Sequence, residues 1–154
     1  AAAGRPRRVV LDSRLRTPPA ARVLAADGTA VIVATTGAST PEARWAVAER
    51  GAEVLVCGGD DERVDLARLL RELAVRGVMS VLVEGGATVH GAFMDAGLID
   101  KVIAYVAPVL VGGRAPVPAL GSGVAAMADA WRLRRVAIHP LGDDVLIEAY
   151  PDRS

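Results

Sequence analysis

The chain is poor in the residues from which many specialised sites are built. Of 154 residues, one is cysteine and two are histidine. A lone thiol, Cys57, allows no intrachain disulfide, so nothing points to an oxidising compartment. Cys57 ends an apolar run and reads as a small buried hydrophobe, not a nucleophile. With no cysteine pair and no His-x-x-x-His spacing, His90 and His139 do not suggest a zinc site, and no metal is expected. Aromatic residues make up only 3% of a chain that is 52% hydrophobic, so the core must be built from Ala, Val, Leu and Ile. Eighteen basic residues balance eighteen acidic ones, leaving no global field to attract nucleic acid or an anionic membrane. No apolar run approaches the roughly 20 residues of a membrane-spanning helix, and the first residues do not read as a signal peptide. The expectation is a cytoplasmic protein with neither a nucleic-acid nor a membrane partner.

What the chain does contain is an alternation of apolar runs and helical patterns. Arg8 to Asp12 is a short apolar run, followed by a basic loop that Pro18 and Pro19 keep from being helical. Ala30 to Thr36 is a second run, β-branched and nearly unbroken. Thr40-Pro41-Glu42 has the order of a helix start: a capping side chain, proline at the first helical position and an acid in the first turn. That helix should stop near Gly51, with a third strand over Glu53 to Cys57. Val64, Leu66, Leu69, Leu70, Leu73 and Ala74 fall on one stripe of a second helix, closed by Gly77. Met79 to Val83 reads as a fourth strand buried on both faces, and Ala87 to Ala96 as a helix ending at Gly97, with Asp95 and Asp100 as caps. Lys101 to Val111 reads as a long strand. Trp131 to His139 and Asp144 to Tyr150 read as a hairpin turned by Pro140 to Asp143.

Uninterrupted apolar strands separated by helices predict a parallel sheet covered on both faces, and strands joined by a short turn must be antiparallel. The expected fold class is therefore α/β: three layers, α/β/α, with a mostly parallel sheet that ends in an antiparallel hairpin. One domain over 1–154 is expected, with 1–7 as an N-terminal arm. The stretch from Gly112 to Ala128, rich in Gly, Pro and Ala, is either a site-covering loop or a surface one.

Ligands of open parallel sheets bind beyond the carboxyl ends of the strands. Three such ends carry polar residues: Asp12-Ser13 with Arg14 and Arg16, Thr35-Thr36-Gly37, and Glu84-Gly85-Gly86. The third leads straight into a helix, whose unpaired N–H groups and dipole suit a phosphate or pyrophosphate. It is not a G-x-G-x-x-G fingerprint, and such a junction also serves backbone geometry alone. Glu84 follows an apolar run, so it faces a ligand cleft or caps a neighbouring N–H. Ser13 and Thr35 carry the same choice between ligand and local turn bonds. Arg14 and Arg16 either hold a 2′-phosphate, the group that separates NADPH from NADH, or are surface charges, with Arg5, Arg7 and Arg8 as a solvated arm. His90 reads as surface or structural, and Gly91 as a position that lets its helix pack tightly.

Three segments, in order, resemble the reductase domain of the bifunctional riboflavin-biosynthesis deaminase–reductase. They are Arg8 to Pro18 (RVVLDSRLRTP), Val81 to Gly91 (VLVEGGATVHG) and Ala96 to Gly113 (AGLIDKVIAYVAPVLVGG). The resemblance runs from about Arg5 to Tyr150. It implies a dihydrofolate-reductase-like fold and NADPH-dependent reduction of 5-amino-6-(5-phosphoribosylamino)uracil to the ribitylamino compound. By position it implies that Ser13 contacts the cofactor, together with Gly86, Ala87, Thr88, Val89, His90, Gly91 and Ala92. Glu84 would contact the pyrimidine substrate. A homodimer is the assembly it favours. Family members carry a further stretch before the Val-Val-Leu-Asp-Ser strand, and a zinc deaminase domain. The expectation is thus a partial reductase domain that is a poor catalyst alone. The competing readings are another reductase of the same fold and a non-catalytic nucleotide-binding or assembly module.

Overall fold

Strand β2 (Val31–Thr35) is buried at all five positions, and its alternation sorts the core of the N-terminal unit into two layers. The computed structural model describes residues 6–25, 28–59, 63–110 and 118–152, which fall into two compact units divided between Ser80 and Val81. In the first unit β1 (Arg8–Leu11), β2 and β3 (Glu53–Val56) form a parallel sheet in that order, with Arg8 opposite Val31 and Ile32 opposite Glu53. Val31 and Val33 point to one face, where Val47 of helix α1 (Pro41–Ala48) joins Leu15, Leu24 and Ala52. Ile32 and Ala34 point to the other, against Leu55, Cys57 and the Leu69 and Leu73 side chains of helix α2 (Leu66–Val75). The expected three layers are all present within this unit. Leu69 and Leu73 are almost wholly buried, and truncating either to alanine costs about 2–5 kcal/mol at sites of this kind.

The caps are where the residue order places them. Thr40 accepts from the Ala43 N–H, with Pro41 at the first helical position. Asp65 accepts from Arg68 N–H at the start of α2. Cys57 is fully buried, and burial pushes its thiol pKa up, against the opposing charge of Arg68.

The run Met79 to Val83 departs from expectation. It joins neither sheet, and Met79 and Leu82 are 94% and 72% exposed. An apolar run becomes a buried strand only where neighbours take up its backbone groups and cover both faces. The unit boundary falls inside this run, and neither sheet extends to it.

The second unit holds helix α3 (Ala87–Asp95) and an antiparallel sheet in the order β4 (Val102–Val106), β6 (Asp144–Pro151), β5 (Leu133–Leu141). Strand β4 stops well short of its expected length: Pro108 has no N–H to donate, and the Val109 N–H turns back to the Ala107 carbonyl. Val111 lies outside the described residues. The hairpin is also tighter than expected. Leu141 pairs with Asp144, leaving only Gly142 and Asp143 in the turn, and Pro140 sits in β5, an edge strand where a missing N–H is tolerated. A bulge sets Arg135 and Val136 opposite a single residue of β6, with Arg135 at φ 51°. Among the described residues no helix is long and apolar enough to cross a membrane.

Candidate functional site

In the first unit the chain leaves β1 through a tight loop whose shape is fixed by two oxygen centres. One is the Asp12 carboxylate, which accepts from the Thr17 N–H and the Thr17 hydroxyl, both at 2.6 Å. The other is the Ser13 carbonyl, which accepts from the Thr35 hydroxyl at 3.0 Å, the Thr36 hydroxyl at 2.9 Å and the Thr36 N–H at 3.1 Å. Leu15 sits at φ 51°, uncommon for a branched side chain, and drops that side chain into the core beside Val33 and Val47. Burying the leucine is worth about 2 kcal/mol, comparable to the left-handed backbone cost of about 1–2 kcal/mol. The loop can therefore turn sharply and stay anchored.

Burial acts to raise the Asp12 pKa. The opposing effects win: hydrogen bonds from the Thr17 side chain and from the backbone of Arg16 and Thr17, together with the Arg16 charge, hold it below the ordinary carboxylate value. A cavity of about 370 Å³ opens here, lined by Leu11, Asp12, Ser13, Arg14 and Arg16. Both arginine side chains are exposed, so the cavity presents guanidinium groups of the kind that grip phosphate.

Thr35 is not on that wall. It and Thr36 are fully buried, with their hydroxyls turned to Ser13, which is the local-bond alternative for Thr35. Arg44 of α1 braces the neighbouring loop after β2, donating to the Ser39 hydroxyl at 2.8 Å and to the carbonyls of Thr36, Gly37 and Ser39. No sequence signal marks Arg44, since a basic residue in a polar helix turn looks like a surface charge.

In the second unit Glu84 is exposed and, among the described residues, has no hydrogen-bond partner, so it does not cap a neighbouring N–H. Gly86 takes φ 81° at the head of α3, a conformation that suits glycine, and no side chain caps the helix. The first-turn N–H groups of Ala87, Thr88 and Val89 are thus left for an external acceptor.

Two further residues of the expected cofactor stretch, His90 and Gly91, meet other parts of the chain. The segment 118–122 runs along α3: the Leu120 N–H donates to the Ala87 carbonyl at 2.8 Å, and both ring nitrogens of His90 lie 3.0 Å from carbonyls, Nδ1 from Pro118 and Nε2 from Val83. Gly91 is buried under the Leu120 backbone, where a Cβ would fall 0.8 Å from the carbonyl oxygen. Asp95 is not a helix cap, because its carboxylate takes the Ser122 N–H and hydroxyl. The described part of the Gly/Pro/Ala-rich stretch therefore covers the flank of α3. Sequence reasoning missed Asp95, Thr17, Thr36 and Arg44 as supports for these loops.

The RibD C-terminal domain family matches residues 1–147. The chain belongs to that family. Among relatives, it is 41% identical over 144 residues to the 2,5-diamino-6-ribosylamino-4(3H)-pyrimidinone 5′-phosphate reductase of Methanothermobacter thermautotrophicus, covering 93% of this chain and 65% of the relative. It is 35% identical over 147 residues to the riboflavin biosynthesis protein RibD of Bacillus amyloliquefaciens, covering 95% of this chain and 39% of that one. Among solved structures, Acinetobacter baumannii RibD superposes with a TM-score of 0.76 at 30% identity over 96% of this chain and 38% of its own. The chain thus spans about two thirds of the archaeal relative and about two fifths of the RibD proteins. As a RibD C-terminal domain it has the α/β, dihydrofolate-reductase-like fold expected of it, with a parallel and an antiparallel sheet.

Proposed function

We propose that this chain serves the NADPH-dependent reduction of 5-amino-6-(5-phosphoribosylamino)uracil to its ribitylamino product, a step in riboflavin biosynthesis. The observation that carries this reading is the uncapped start of α3 behind Glu84-Gly85-Gly86, in a RibD C-terminal domain. Each unit, taken by itself, has features that suit a phosphate: in the second, nothing lies within 4 Å of a Cβ built on Gly86, and in the first, Arg14 and Arg16 line a cavity next to Ser13. In this reading the Ala87, Thr88 and Val89 amides of the second unit are an anion site suited to pyrophosphate. Taken by itself, the loop of the first unit offers Ser13 as a cofactor contact and Arg14 and Arg16 as guanidinium groups suited to a 2′-phosphate. His90, Gly91 and Ala92 contribute by supporting that helix, and Thr35 through its bond to Ser13. Glu84 faces the pyrimidine, where a carboxylate can accept from ring or amino N–H groups. The chemistry supplied by a bound nicotinamide is a two-electron reduction at C1 of the ribosyl unit. The protein's part is to bind and orient.

A second substrate reading rests on the 41% relative, whose name carries a diaminopyrimidinone in place of the aminouracil. We further propose that the chain acts as one reductase domain. The protein works in the cytoplasm as a homodimer, for which the exposed Val106 (50%) and Ile138 (63%), on one face of the antiparallel sheet, offer apolar surface.

The test is titration of NADPH and NADH, followed by Trp45 and Trp131 fluorescence, then turnover with each of the two pyrimidines. Tighter binding of NADPH, lost on Arg14→Ala with Arg16→Ala, is the expected result. Absence of binding by either dinucleotide would sink the cofactor assignment, and equal binding would remove the role of the arginines. Turnover of only the diamino compound would replace the substrate.

A further inference from the structure

We infer that His90 is a positioning residue that sets the geometry of the Glu84-Gly85-Gly86 turn, and through it the spacing between Glu84 and the amides at the start of α3. The inference rests on the roles proposed for those two groups. His90 closes this turn twice. Its backbone N–H donates to the Gly86 carbonyl at 3.0 Å, and its ring Nε2 reaches the Val83 carbonyl, also at 3.0 Å. Between those contacts lie Glu84, Gly85 and Gly86 and nothing else. The two glycines leave this stretch few restraints of its own, so a ring link at Val83, the residue just before it, removes much of the freedom that glycine brings.

The other ring nitrogen lies 3.0 Å from the Pro118 carbonyl, which sets the ring between the turn and the segment lying on α3. Carbonyl oxygens only accept and a neutral imidazole carries one ring hydrogen, so only one of the two approaches is a hydrogen bond. The positioning role is that of the Nε2–H tautomer, donating to the Val83 carbonyl. Val89, the residue before His90, lies against Gly85, where a Cβ would come within 2.9 Å of its side chain. The turn is thus held from inside by Val89 and from its ends by His90. The ring nitrogens are taken up by backbone carbonyls, which places His90 behind the binding surface and not on it.

A purely structural histidine, one that only pins 118–122 to the helix, would behave differently, and Asp95 provides the comparison. Its carboxylate holds Ser122 of the same segment without touching residues 83–86. The experiment compares His90→Phe, His90→Gln and Asp95→Ala in the full chain. It measures dissociation constants for NADPH, KM and kcat with the pyrimidine substrate, and amide exchange at Gly85 and Gly86.

His90→Phe should weaken NADPH binding and raise KM about five- to tenfold, the size of one lost hydrogen bond, with kcat less affected. It should also speed exchange at Gly85 and Gly86. His90→Gln, which restores one donor, should recover part of the loss. Asp95→Ala should loosen 118–122 while leaving Kd and KM near those of the parent protein. Unchanged binding in a folded His90→Phe variant overturns the proposal. So does an Asp95→Ala effect equal to that of His90→Phe, because the histidine would then act only through the segment. Should His90→Phe fail to fold, the His90→Gln and Asp95→Ala pair decides by the same comparison. Absence of NADPH binding by the parent protein would count against the cofactor site itself.

Discussion

Replacing Gly91 with alanine should destabilise the protein, although the same exchange inside a helix normally gains about 1 kcal/mol. The added Cβ would lie 0.8 Å from the Leu120 carbonyl oxygen and 2.0 Å from its carbon, both backbone atoms that no side-chain rotation can move away. Ordinary contact begins near 3.4 Å, so helix and segment must part by about 2.6 Å (3.4 minus 0.8). A shift of that size breaks the Leu120–Ala87 hydrogen bond and pulls Ser122 from Asp95 and Pro118 from His90. Three or four links at about 1 kcal/mol each, less the helical gain of about 1 kcal/mol, leave a net loss of about 2–3 kcal/mol. Urea denaturation followed by far-ultraviolet circular dichroism reads this as a lower midpoint. Limited proteolysis or hydrogen exchange should show residues 118–122 newly exposed. A variant with an equal or higher midpoint and unchanged protection of that segment would refute the reasoning.

Asp12→Asn should cost about 1 kcal/mol at neutral pH by weakening two charge-assisted hydrogen bonds in a partly exposed loop, and should weaken NADPH binding with it. The depressed Asp12 pKa fixes the sign of the pH effect: its stabilisation is complete above the ordinary value of 3.8 and is lost as pH falls below it. Acid titration of stability should therefore be shallower in the asparagine variant than in the parent. Arg135→Gly should stabilise by about 0.5–1 kcal/mol, since it relieves a left-handed backbone at an exposed bulge, and a lower thermal midpoint would count against that account.

The legible parts of the sequence were those where a residue's neighbours in the chain settle its role. Thr40-Pro41-Glu42 starts a helix because the cap, the fixed φ and the acid all act within one turn. The unbroken Val31 to Thr35 run is the central strand because β-branched residues without polar interruption need cover on both faces. Met79 to Val83 has the same look, yet pairs with nothing in either sheet, and local composition has no means of supplying a partner. The candidate site divides the same way. Glu84-Gly85-Gly86 announces a helix start open to an anion, and Ser13 a strand end. The engagement of Gly91, His90 and Asp95 with residues 118–122 depends on segments 25 or more positions apart meeting backbone to side chain. Such meetings leave no periodic trace. Thr35 shows the limit most clearly: a hydroxyl at a strand end points to ligand or to backbone with equal chemical sense, and only its burial decides.

The loop after β1 separates what holds it from what it offers. Its shape depends on the Ser13 carbonyl and the Asp12 carboxylate, with Leu15 as anchor, while Arg14 and Arg16 face outward. A backbone carbonyl survives any substitution at position 13, so the side chain there is spared from folding duty. Under the proposed function, change at position 13 would alter the contact offered to a phosphate while leaving that carbonyl, and the loop it anchors, in place. On that proposal the loop is a place where ligand preference can drift in a lineage while the scaffold stays put, and where a few exchanges in the laboratory test whether dinucleotide preference follows.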